Sequence, residues 1–124
     1  MGFPSPAEDF DQQSINLNDV LIRNPPATFF YRATGNGMIE AGICDGDILV
    51  VDRSVIPISG DIVIASWDSN PFVCKMLRIQ RNHIQLQSCN RDIAPISLSA
   101  GTEVEILTIV GVARAMRRSV KSAE

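Results

Sequence analysis

Short apolar runs, separated by glycine, proline and aspartate, dominate the chain from residue 28 onward. In the run 83–87 apolar and polar residues alternate, with Ile84 and Leu86 on one face, and this period of two is typical of a β-strand. A helical period is almost absent. The pattern predicts a mostly β domain, a curled or barrel-like antiparallel sheet with one or two short helical turns. The predicted strands are 28–33, 48–51, 61–66, 72–79, 83–87 and 104–116.

The stretch 33–52 carries the densest turn signals, and the rest of the chain is organised around it. It predicts the end of a strand, a glycine-punctuated turn and one helical turn that begins near Asn36. A second tight turn at Asp45-Gly46 then leads into a buried strand.

The chain divides into an N-terminal arm over 1–26, a β domain over 27–117 and a polar tail over 118–124. Within the last strand, Gly111 predicts a bulge or kink, because glycine weakens a regular ladder. The segment before that strand, through Pro95, is predicted to be a loop.

The arm carries two weak helix signals. Ser5, Pro6 and Glu8 form a capping box that predicts a short helix over 6–12. Asn16 or Asn18 is predicted to cap a second turn.

Composition narrows the class of protein. The 124 residues suffice for one domain with a real core. The net charge of −3 gives no global basic field for DNA, so any contact with DNA is expected to be local or indirect. The sequence shows no signal peptide and no apolar run long enough for a membrane span. Three cysteines without paired spacing favour reduced thiols in a cytosol.

Several charged residues are candidates for a site but have simpler interpretations. The lone His83 lies on the polar face of a strand and is predicted to be solvated. Neither a metal site nor a cofactor is predicted. The aspartates that could suggest a metal cluster are better explained by turn hydrogen bonds; they are Asp45, Asp47, Asp52 and Asp61. The basic C-terminal patch is either a solvated tail or a contact for DNA or an acidic partner; it consists of Arg114, Arg117, Arg118 and Lys121.

Lys75 lies in the middle of the predicted strand 72–79. Alternation places it on the same face as Val73, Leu77 and Ile79. Among aliphatic neighbours a lysine amine loses hydration and becomes a usable base. The alternative is a lysine that extends its charged end to solvent from an edge strand.

Two segments resemble the serine–lysine peptidase core of the UmuD and LexA family. The turn Gly35-Asn36-Gly37-Met38 resembles the family's Gly-Asp-Ser-Met turn, and the strand 72–77 resembles its lysine strand. Further similar segments are 2–7, 27–30, 60–65 and 115–117. The resemblance implies a mostly β fold of the LexA and UmuD C-terminal type, with Lys75 at the general-base position.

A glycine, Gly37, stands where the family keeps its serine nucleophile. Glycine has no side chain that could attack a carbonyl, so the resemblance implies a peptidase scaffold without peptidase activity. The alternative interpretation is a backbone that requires positive φ at this position. In addition, Gly2 aligns with the residue after the family's scissile bond, which favours a chain similar to the cleaved product, UmuD′.

The function that the resemblance implies is that of a UmuD′-like accessory subunit in the SOS response. Such a subunit is a non-catalytic homodimer that binds a UmuC-like DNA polymerase, as in the error-prone translesion enzyme DNA polymerase V, and a RecA filament. A full-length UmuD-like protein is a further partner to test. The expected location is the bacterial cytoplasm, with a bacterial, phage or plasmid gene. The expected dimer contacts lie in the apolar last strand, at Ile106, Ile109, Val110 and Val112.

Two other functions stay open. The first is a self-cleaving serine–lysine peptidase that was inactivated by a serine-to-glycine change at Gly37. The second, weaker, is a DNA-binding β-barrel. The net negative charge and the small number of aromatic residues argue against this function, because proteins that bind single strands use basic grooves with aromatic side chains on which the bases stack.

Overall fold

The computed structural model describes residues 14–99 and 101–116. It contains seven strands: β1 (Thr28–Arg32), β2 (Ile48–Asp52), β3 (Ile62–Trp67), β4 (Val73–Ile79), β5 (His83–Gln87), β6 (Ile96–Ser99) and β7 (Val104–Ala113). The helical elements are α1 (Leu17–Leu21) and two short 3-10 turns, Pro25–Ala27 and Ile39–Ala41. None of these helices is long and apolar enough to span a bilayer.

All seven strands form one antiparallel sheet in the order β1-β2-β7-β3-β4-β5-β6. The mostly β fold class is confirmed. The sheet is open rather than closed into a barrel, with β1 and β6 as its edges.

The core divides into two clusters that lie on different parts of the sheet. The first joins the centre of the predicted turn region to β2 and β3 through Met38, Leu49 and Ile64. The second joins β3 to β6 through Val63, Leu77, Leu86 and Leu98. The site residues Gly37 and Lys75 belong to neither cluster's buried set.

β6 is a strand that the sequence prediction missed. The sequence pattern predicts a loop for residues 96–99. The structure pairs β6 with β5, and Leu98 enters the second core cluster. A four-residue strand holds too few alternating positions to stand out from a loop.

The predicted irregularity at Gly111 is confirmed. Val50 pairs with Gly111 but Val51 pairs with Ile109, so Val110 is the extra residue of a bulge in β7. A Cβ at Gly111 would lie 2.8 Å from Leu21 Cδ2, so glycine also lets α1 approach the sheet closely. Asn16 caps α1, as predicted, by accepting a hydrogen bond from the Asn18 amide.

Two predicted segments lie outside the described residues: the helix over 6–12 and the tail over 118–124.

Candidate functional site

Lys75 and Gly37, which the sequence placed in one site, are brought together through a third residue, Ser88. In the ladder between β4 and β5, Met76 pairs with Gln87 and Leu77 with Leu86. One step further along the same register lies Lys75 opposite Ser88. There the Lys75 amine donates a hydrogen bond of 2.6 Å to the Ser88 hydroxyl.

The Ser88 hydroxyl also lies beside position 37. A Cβ at Gly37 would be 3.9 Å from Ser88 Oγ and 4.0 Å from Ile93 Cδ1. Both are ordinary van der Waals distances. Since Lys75 Nζ is 2.6 Å from the same hydroxyl, it lies no more than about 6.5 Å from that Cβ. The Cβ of a side chain at position 37 would therefore lie close to the Ser88 hydroxyl and within about 6.5 Å of the Lys75 amine.

The backbone at Gly37 does not require glycine. Positive φ angles occur at Gly35, Gly42, Gly46 and Gly60, with φ of 80° at Gly35, but not at Gly37. The interpretation of Gly37 as a left-handed turn position is therefore wrong. A residue with a side chain fits here without backbone strain.

Hydrogen bonds connect the turn that carries Gly37 to the loop that follows β5. The Glu40 amide donates to the Cys89 carbonyl at 2.8 Å, and the Asn90 side chain donates to the Asn36 carbonyl at 3.0 Å. Between them, Met38 is buried in the first core cluster. Since Ser88 begins this loop, the same contacts hold the turn beside the Ser88–Lys75 pair.

A second set of hydrogen bonds connects the C-terminal part of the turn region to Arg114. Arg114, at the end of β7, binds both carboxylate oxygens of the buried Asp47 at 2.7 Å and donates to the Gly42 carbonyl. The hydrogen bond from Arg114, with one from the Cys44 amide, lowers the pKa of Asp47 to about 2. Arg114 thus forms an intramolecular ion pair with a buried carboxylate, although its own side chain is 39% exposed. The other three residues of the basic C-terminal patch lie outside the described residues.

A cleft of about 160 Å³ opens between the turn and the start of β4. Its walls include Tyr31, Thr34, Phe72 and Lys75. The Tyr31 and Phe72 rings meet edge to face with centroids 6.1 Å apart, and the Tyr31 hydroxyl donates to the Phe72 carbonyl. The cleft is therefore lined by both apolar and polar groups, and Lys75 forms part of its wall.

The cysteine next to Lys75 does not offer a replacement nucleophile at neutral pH. Cys74 packs against the first core cluster, and burial raises the pKa of its thiol to about 11. Burial also raises the pKa of Cys89. Both thiols therefore stay protonated, and thiols attack carbonyls as thiolates.

Comparison with known proteins shows the family to which the chain belongs. Residues 1–113 match the Peptidase S24-like family. The chain belongs to this family. MucA of Escherichia coli is 40% identical over 110 residues, which cover 88% of this chain and 74% of MucA. SamA of Salmonella typhimurium is 48% identical over 79 residues, 64% of this chain and 56% of SamA. The LexA repressor of Bacillus thuringiensis is 31% identical over 114 residues, 91% of this chain and 54% of that repressor.

These matches confirm the resemblance to the UmuD and LexA family. The matched stretch spans little more than half of SamA and of ImpA, another relative. In this S24-like chain, the peptidase fold is present with glycine at position 37 and lysine at position 75.

The aspartates considered as metal ligands bind backbone amides instead. Asp45 accepts from the Gly35 amide, Asp52 from Ser54 and Asp61 from Ile58, and Asp47 makes the contacts described above. The prediction of turn hydrogen bonding is confirmed for Asp47, Asp52 and Asp61, which accept from amides two or three residues away, whereas the partner of Asp45 lies ten residues away. His83 begins β5 and is partly exposed.

The expected dimer contacts divide into two groups. Ile106 and Ile109 pack partly into the two core clusters, whereas Val110 and Val112 keep 39% and 37% of their surface exposed. β7 itself is an interior strand, because Thr108 pairs with Asp52 on one edge and Val63 on the other. The register with β3 ends at Thr108, so in the described part of the chain residues 109–113 pair only with β2.

Sequence reasoning did not find Ser88, which is the direct partner of Lys75. The signal was available in the register of the β4–β5 hairpin. Counting outward from the turn places residues 75 and 88 opposite each other, but only once the hairpin pairing is known.

Proposed function

We propose that this chain is a non-catalytic accessory subunit of an error-prone translesion DNA polymerase, similar to UmuD′. It acts as a homodimer in the bacterial cytoplasm and binds a UmuC-like polymerase and a RecA filament. The observation that carries the proposal is Gly37: the nucleophile position has space and backbone freedom for a serine, yet it carries no hydroxyl. A family member in this state keeps its surfaces for assembly but has lost its attacking atom.

The contacts around the turn are compatible with a role in assembly. The Asp47–Arg114 pair and the Glu40–Cys89 backbone contact hold the turn region in place. They therefore maintain a defined surface around the cleft, and the proposal assigns this surface to the binding of another protein.

The homodimer is proposed to form on the second half of β7. Val110 and Val112 present apolar surface there. Leu21 Cδ2 lies 2.8 Å from a Cβ at Gly111, so α1 packs on the face of β7 that Gly111 presents, and Val112 lies on the opposite face. Exposed apolar residues of this kind are typical of an interface.

The dimer is tested by Val110→Glu combined with Val112→Lys. Sedimentation equilibrium at micromolar concentrations should show a dimer for the unchanged protein and a monomer for this variant. Ile58→Glu is the matched control, because Ile58 is 64% exposed in the loop between β2 and β3. An unchanged dimer in the β7 variant would exclude this interface.

The polymerase partnership is tested by mixing the purified chain with a UmuC-like polymerase and separating the mixture by gel filtration. Co-elution in a defined ratio is the expected result, and cosedimentation with RecA filaments on single-stranded DNA tests the second partner. Separate elution of the two proteins at micromolar concentrations would contradict the accessory role.

A second function is favoured by the retained lysine: a serine–lysine peptidase inactivated at position 37. In such an enzyme the serine hydroxyl attacks the peptide carbonyl while the amine takes its proton. The test is Gly37→Ser, assayed for cleavage of a UmuD-like substrate at alkaline pH. Gly37→Ala is the control for the hydroxyl and Lys75→Ala, in the serine variant, for the base. Absence of cleavage by the serine variant would discard this function.

A further inference from the structure

We propose that Ser88 supplies the hydroxyl partner that the Lys75 amine no longer has at position 37, and thereby fixes the position of Lys75 in the wall of the cleft. Ser88 is a positioning residue in this proposal. Neither the family motif nor the lysine strand includes it.

The first argument is the contact itself. The Nζ–Oγ distance of 2.6 Å is short for a hydrogen bond, and both residues are half-buried. In the described part of the chain no carboxylate lies within ion-pair distance of this amine. The Ser88 hydroxyl is therefore the polar group to which the amine is anchored.

The second argument is the place of that hydroxyl. It lies 3.9 Å from where a Cβ at position 37 would stand and 2.6 Å from the Lys75 amine, so it is close to both. The Oγ of a serine at position 37 is bonded to that Cβ and would therefore also lie near the amine. One hydroxyl can therefore substitute for the other as an acceptor of the lysine hydrogen bond.

The third argument is how Ser88 is held. It directly follows β5, and the next residue, Cys89, is bound through its carbonyl to the Glu40 amide and through its amide to Met38 Sδ. Ser88 is thus fixed between a strand and a tethered loop. A hydroxyl with so little freedom can orient a long, flexible lysine side chain.

The test uses the fact that the chain contains just two lysines, Lys75 and Lys121. The full protein is treated with N-hydroxysuccinimidyl acetate, and acetylation of each lysine is followed by mass spectrometry of peptides. Lys121 is the internal reference for reagent concentration. A hydrogen-bonded, half-buried amine reacts after that bond opens, so Ser88→Ala should raise the relative rate at Lys75 by about three- to tenfold.

Two variants separate positioning from a general structural effect. Ser88→Thr keeps a hydroxyl and should leave the Lys75 rate within about twofold of the unchanged protein. Ser97→Ala, on the exposed side of β6, removes a serine hydroxyl away from the site and should change nothing. Equal urea midpoints for the three variants would show that the rates refer to folded protein.

The exchange of hydroxyls is tested by the double variant Gly37→Ser with Ser88→Ala. Its Lys75 rate should return toward that of the unchanged protein. An unchanged or lower rate in Ser88→Ala, or no return in the double variant, would overturn the proposal. These rates are read on the isolated protein, so they are independent of whether a polymerase binds.

Discussion

Replacing Gly37 and Gly35 by alanine, one at a time, should change stability in opposite directions. At Gly37 the φ angle is not in the left-handed region, and a new Cβ meets its nearest neighbours at 3.9 and 4.0 Å. Alanine there restricts the unfolded chain without straining the folded one, so we expect a gain of about 0.4–1 kcal/mol in the free energy of unfolding.

At Gly35 a Cβ would meet no neighbour within 4 Å, but φ is 80°. Alanine in this conformation costs roughly 1–2 kcal/mol. The Gly35 amide donates a hydrogen bond to the Asp45 side chain, and alanine retains this amide. The loss of stability is therefore due to the φ angle. The two variants, only two residues apart, should therefore differ by about 1.5–3 kcal/mol.

Urea unfolding measures both values, with the fluorescence of the single Trp67 as the signal and circular dichroism as a second probe. The slope of the unfolding free energy against urea should be the same for all three proteins. A loss at Gly37→Ala as large as that at Gly35→Ala would refute the claim that position 37 accepts a side chain. It would restore the interpretation of Gly37 as a backbone requirement and remove the main support for a lost nucleophile.

Three further predictions follow from the core, the Asp47–Arg114 pair and a turn. Leu86→Ala should lower the free energy of unfolding by about 2–5 kcal/mol in urea titrations, since Leu86 is fully buried in the second core cluster; the partly exposed Gln85→Ala is the control, and an equal effect of the two would contradict the assignment. Because Arg114 lowers the pKa of Asp47 from 3.8 to about 2, the stability due to this pair should be complete above pH 4 and lost as the pH falls toward 2. Asp47→Asn should flatten the plot of unfolding free energy against pH in that range, and an identical plot for the two proteins would refute the pairing. Ser69→Gly should raise the thermal midpoint, with a gain of about 0.5–1 kcal/mol in the free energy of unfolding, because Ser69 has a φ of 65° in the β3–β4 turn. A lower midpoint would show that the backbone is not strained at this residue.

Much of the sheet was predictable because strand alternation is a local property. Ile84 and Leu86 identify β5 from five consecutive residues, and the predicted β5 has the bounds that the structure shows. Other boundaries shifted by a residue or more, as at the end of β7, which the pattern extended to Met116 and the structure ends at Ala113. β6 was missed because four residues are too few to show a clear alternation. Such a strand is recognised only from the strand with which it pairs.

The candidate site was predictable in part for a similar reason. The glycine at position 37 and the lysine at position 75 are visible in short motifs, and the family follows from them. The hydroxyl that joins them was not visible. Ser88 acquires its place from the β4–β5 register and from a loop tethered to the turn, and neither contact is encoded within a local window.

By itself, the sequence determined the strand-rich class, the turn hydrogen bonds of Asp52 and Asp61 and the absence of a hydroxyl at position 37, because each depends on side chains or on near neighbours. Only the tertiary structure decided that Gly37 has an ordinary φ, that Ser88 holds Lys75, and that Arg114 pairs with the buried Asp47. The last of these joins residues 67 positions apart. Such contacts arise when distant strands pack into one sheet, since folding alone brings those groups within hydrogen-bond distance.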